Sequence, residues 1–100
     1  MIRMFAAVVA LCAATPLAAQ SAKETDCGYQ ADVVAAVQAA RMERVRERQV
    51  VDHVAGTAPE WPEKYNAVVP LVTPWVYRMK MKELKSADLG EAWEELCLQQ

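Results

Sequence analysis

The side chains able to do chemistry are few, and the cysteines come first. The chain of 100 residues holds three, Cys12, Cys27 and Cys97. No Cys-x-x-Cys spacing occurs, so neither a redox-active dithiol nor haem attachment is indicated. His53 is the only histidine. A metal site needs several ligands, which a solitary imidazole does not supply. Asp52 adjoins it, but neighbours in a helix point to different faces; His53 therefore reads as a surface or edge residue. Acidic pairs such as Glu94-Glu95 fall in an exposed helical pattern. With no nucleophile–base pair, metal-ligand spacing or phosphate-binding loop, the chain reads as a non-enzyme without metal or cofactor.

Binding is the chemistry left. The segment Pro59 to Tyr77 carries two of the three tryptophans and two of the three tyrosines. Aromatic side chains anchor many interfaces, so Trp61, Trp75 and Tyr77 are candidates for an interaction patch. Met81 joins them, because Met79 and Met81 alternate with Arg78, Lys80 and Lys82 and cannot all face inward. The competing reading is that these residues build the core of an aromatic-poor domain. Two basic stretches stand apart. Arg41, Arg44, Arg46 and Arg48 flank Glu43 and Glu47, and Arg78, Lys80, Lys82 and Lys85 surround Glu83. They would either dock an acidic partner, lipid head group or polyanion, or form a solvated surface offset by Asp88, Glu91, Glu94 and Glu95.

The first nineteen residues set the compartment. Arg3 is a short positive start, Met4 to Ala14 is an uncharged apolar run, and Thr15-Pro16 breaks it. Leu17-Ala18-Ala19 then places small residues where a signal peptidase acts. The pattern predicts cleavage between Ala19 and Gln20, since a cut after Ala22 would put Gln20 three residues upstream. A retained anchor fits less well: a helix over 4–19 spans roughly 24 Å against a hydrocarbon core of ~30 Å. Leu11 before Cys12 argues against a lipoprotein. Residues 20–100 are then one small domain, expected in the periplasm or outside a bacterial cell, with no stable membrane span. Cleavage removes Cys12 and leaves Cys27 and Cys97 as an even pair, predicted to be a structural disulfide. Closing so long a loop is worth roughly 4 kcal/mol in the chain-entropy model. Removal of Arg3 leaves a mild negative balance, which offers no electrostatic case for nucleic acid.

The elements that must hold these residues all read as helix. Asp26, or Ser21 further upstream, is placed to cap a first helix ending near Glu43. Tyr29, Val33, Val37 and Ala40 form its apolar stripe, widened by Val34 and Ala36. Val50, Val51 and Val54 mark a short second helix over 44–55, with Gly56 just past its end. A third region begins at Pro62 or Glu63 and is expected to break near Pro70, restarting with Thr73 as cap and Pro74 in the first turn. Trp75, Val76 and Met79 should face inward, with Leu84 closing the region. Asp88 starts a last helix, on which Leu89, Ala92, Trp93 and Leu96 share a face beside Cys97. Bridging Cys27 to Cys97 requires the first helix to begin where the last one ends, which an even number of antiparallel segments achieves. The expected fold is all-α, a four-segment bundle clipped by one disulfide.

The early cysteine, the Ala39-Ala40-Arg41 at the first helix's end, the Trp61-Pro62 loop and the Trp93-Glu94-Glu95-Leu96-Cys97 ending resemble small uncharacterised secreted proteins of proteobacteria, across most of 27–97. That resemblance implies no biochemical role. A looser similarity, of size and compartment only, is to periplasmic acid-stress chaperones of the HdeA type. The expected function is a protein-interaction module with a partner in the cell envelope. The alternatives are a carrier or sensor of a small apolar ligand, and a holdase-type chaperone.

Overall fold

The computed structural model describes residues 17–100. The expectations placed on Arg3, Met4–Ala14, Cys12 and Thr15-Pro16 lie outside those residues. Five α-helices are described: α1 (Leu17–Met42), α2 (Val50–Gly56), α3 (Val68–Arg78), α4 (Met81–Ser86) and α5 (Leu89–Leu98). Short 3-10 turns, Glu47–Gln49 and Glu63–Ala67, lead into α2 and α3. Among the described residues there is no strand, and no helix is long and apolar enough to cross a membrane.

α1 is the mast against which the rest packs. It begins upstream of both expected caps, so the polar stretch 20–25 is helical. Asp26 and Ser21 lie inside it; the Ser21 carbonyl accepts from the Thr25 hydroxyl, 2.9 Å away. Its end is well defined. The Val45 N–H bonds to the Ala40 carbonyl at 3.0 Å, and the Arg44 N–H to the Arg41 carbonyl at 3.1 Å. That pair of bonds is a Schellman closure, with Val45 tucked back toward buried Ala40. It forces Arg44 to a φ of 64°. Glycine usually fills this position, because a Cβ there costs about 1–2 kcal/mol. The same occurs after α2: Gly56, expected beyond the helix end, is its last residue, and Ala58 takes the positive φ of 51°.

The chain then runs down, up and down again. α2 returns along α1, with His53 near Glu43 at one end and Pro59–Trp61 beside Tyr29 and Asp32 at the other. α3 is parallel to α1: Tyr65, just before it, meets Asp26, while Tyr77 at its end meets Val45. α5 is antiparallel, with Gly90 at Ala31, Trp93 at Gln30 and Cys97 bonded to Cys27. The disulfide, with Cα atoms 5.6 Å apart, thus joins the two helices as the parity argument requires.

Valine builds the core. Val33, Val34 and Val37 of α1, Val50 and Val54 of α2, Val69, Val72 and Val76 of α3 and Leu84 of α4 are buried together. Several details depart from the pattern-based reading. Val51 lies on the exposed side of α2. The third region does not break at Pro70: the backbone changes from 3-10 to α at Val68, so Pro70 falls in the first turn, where its missing N–H is harmless. Pro74 is carried inside the helix on its exposed side. Thr73 is no cap; its hydroxyl donates to the Val69 carbonyl at 2.6 Å within the core. The interruption comes at Met79–Lys80, where extended backbone separates α3 from α4. The third region is therefore two helices. Asp88 caps α5 as expected, its carboxylate accepting from the Glu91 N–H at 3.0 Å.

Candidate functional site

α3 and α5 lie side by side on α1 and leave a groove between them. Its lips are apolar and open. Leu71 is 75% exposed, Leu96 58% and Trp75 37%. Trp75 of α3 meets Trp93 of α5 across the groove, ring centroids 5.8 Å apart and planes at 44°. Sharing Trp93 with this pair, a depression of about 530 Å³ lies between α1 and α5, lined by Lys23, Asp26, Cys27 and Gln30 on one side and Trp93, Leu96, Cys97 and Gln100 on the other. The disulfide forms part of its floor.

A chain of hydrogen bonds fixes the tryptophan. The Trp93 indole N–H donates to Gln30 Oε1 at 3.0 Å. Gln30 Nε2 donates to Asp26 Oδ2 at 2.9 Å. The other Asp26 oxygen accepts from the Tyr65 hydroxyl at 2.7 Å. Gln30 and Asp26 are one helical turn apart on α1, so a single ladder ties α5, α1 and the approach to α3. The hydrogen bond to the Asp26 carboxylate, followed by burial, pushes the Tyr65 pKa up to about 12. Tyr65 also stacks on Tyr29 at 5.1 Å. Held by its indole N–H and set against Trp75, Trp93 offers aromatic surface at low conformational cost.

The Asp26 carboxylate and the two sulfurs lie within 4.8 Å of one another. Tied in a disulfide, the sulfurs offer no thiolates to a metal, and Tyr65 and Gln30 already engage the carboxylate. His53 Nε2 lies 3.2 Å from Glu43 Oε2, tying α2 to the end of α1.

The residues singled out for an interaction patch occupy separate places. Trp75 alone lines the groove. Trp61 lies on the α2 side, where its indole donates to Asn66 Oδ1 at 2.8 Å. Tyr77 is half-buried, its hydroxyl donating to the Val45 carbonyl and its ring beneath the Arg41 guanidinium. Burial pushes its pKa up, partly opposed by Arg41. Met81 packs against the core. The groove's other members, Leu71, Trp93 and Leu96, went unselected. The face expected to hold Leu89, Ala92, Trp93 and Leu96 is only partly covered: Leu89 is buried and Trp93 half-buried, but Ala92 and Leu96 are exposed.

Compared with protein-family models, curated proteins and solved structures, the chain matches none.

Proposed function

We propose that this chain is an exported helical module that binds a protein partner of the cell envelope, seating an apolar segment in the α3–α5 groove. The observation that carries this reading is the Trp75–Trp93 pair, with exposed Leu71 one turn before Trp75 and exposed Leu96 beside Trp93 in the depression that the disulfide lines. Aromatic anchors set in a rigid frame are what interface hot spots are made of. The apolar leader and the oxidised cysteine pair support an extracytoplasmic address. Photo-crosslinking in cells tests it. A crosslinker at Leu71 or Leu96 should give a discrete adduct that one at Glu60 does not, and Trp75→Ala should abolish it. The same adducts from all three positions would refute the groove.

A second reading, a carrier of a small apolar ligand, is favoured by the depression itself, whose volume of about 530 Å³ lies within the range of small-molecule sites. Native mass spectrometry of protein taken from its own cells separates the two: a bound mass displaced by Leu96→Arg supports a carrier, and a bare chain removes it.

A further inference from the structure

The two basic stretches, separate in sequence, meet at one end of the bundle. The Tyr77 hydroxyl bonds to the Val45 carbonyl and Arg41 lies 5.1 Å over the Tyr77 ring, so the end of α3 abuts the end of α1. Gln38, one turn before the end of α1, donates to the carbonyls of Leu84 and Ala87, both at 2.8 Å, which brings α4 to the same end. Arg41, Arg44, Arg46, Arg48, Arg78, Lys80, Lys82 and Lys85 gather there with Glu43, Glu47 and Glu83. All but Arg41 are exposed. Among the described residues only Lys23 and Lys64 are cations elsewhere. The single ion pair described is His53 with Glu43, so none of the eight has a carboxylate within 4.0 Å.

Local backbone preference does not explain this crowding. A C-terminal helix dipole favours Arg41 and Arg78. The positive N-terminal end of a helix disfavours Lys82, in the first turn of α4, and Arg44 occupies a left-handed position that suits glycine better. Met42 lies among these cations and is 43% exposed. An apolar side chain amid unpaired cations complements a surface with phosphates outside and hydrocarbon beneath. A single-stranded nucleic acid would want an aromatic platform, and the tyrosine at this end, Tyr77, has its ring covered by Arg41.

We propose that the basic end is a docking surface for an anionic phospholipid bilayer, holding the protein at the membrane with its groove free. Flotation of the full chain with vesicles tests this. Vesicles of phosphatidylcholine containing phosphatidylglycerol should carry the protein upward, and pure phosphatidylcholine should not. Raised salt should release it. The variant R44E/R46E/K80E/K82E should bind at least about tenfold more weakly. Should that variant misfold by circular dichroism, the pair K80E/K82E, on exposed side chains, serves with a smaller loss. Equal flotation with both vesicle types would mean that apolar insertion, not charge, does the work. No flotation at low salt, or flotation unchanged by charge reversal, would also overturn the proposal. So would retention on a DNA or polyglutamate column without vesicle binding.

Discussion

α1 carries two seams that are held by different means. The seam with α3 is parallel and apolar, with Val69, Val72 and Val76 buried against Val33 and Val37. The seam with α5 is antiparallel and buries only Leu89 and Gly90 fully on the α5 side. Close approach at Gly90 adds to that burial, and so do specific bonds. These are the Cys27–Cys97 disulfide, the Trp93–Gln30 hydrogen bond, and Gln38, whose Oε1 accepts from the Leu89 N–H at 3.3 Å. A seam made by burial tolerates change in proportion to the area lost. A seam made by a few bonds fails when one is cut. The groove lies between the two, so half of it depends on the second kind.

Removing the disulfide should have the largest effect. Cys27→Ser with Cys97→Ser is expected to cost roughly 4 kcal/mol of stability, read by chemical denaturation. If the α5 seam were as apolar as its neighbour, α5 and α3 would lose amide-exchange protection together; the account predicts that α5 loses it first. Val76→Ala probes the other seam and should cost about 2 kcal/mol or more, without exposing α5 first. Gly90→Ala is the finer test of close approach. A Cβ at Gly90 would lie 2.9 Å from the Ala31 carbonyl oxygen, a backbone atom that cannot swing aside. A loss of about 1–3 kcal/mol is expected; an unchanged denaturation midpoint would show that the helices can part.

The smallest effect concerns pH. The Tyr65 hydroxyl keeps its proton to about 12 when folded, against 10.0 for a free tyrosine. The folded state therefore holds a proton that the unfolded chain gives up. Its stabilising contribution is full below pH 10, and it is lost as pH rises toward 12. Stability of the native protein should fall more steeply across that window than that of Tyr65→Phe, measured by denaturant midpoints at stepped pH.

Much of this architecture was legible because it rests on periodicity and pairing. The stripe from Val33 to Ala40, the Asp88 cap and the pairing of Cys27 with Cys97 follow from helical spacing, a short acceptor before an N-terminus and an even cysteine count. What stayed hidden depends on tertiary context. Pro70 can stand in the first turn of a helix as well as beyond its end, and only the preceding 3-10 turn decides which. Gly56 looked like a helix stop, but the left-handed residue is Ala58, since the helix ends where packing of Val54 ends. The groove was the least legible feature. An apolar face on α5 is expected to be buried, and nothing in its spacing shows that α1 covers Leu89 while leaving Leu96 open.

The central claim is that the disulfide seam holds Trp93 against Trp75 and so shapes the groove proposed to bind a partner. Exciton coupling between the two indoles in circular dichroism, followed through reduction of the disulfide, tests it most directly. The couplet should be present in the oxidised protein and absent from Trp75→Phe. On reduction it should vanish while most of the helical signal remains, because α5 leaves a valine core that stays packed. A couplet that survives reduction, or one that disappears only together with the helices, would contradict the account.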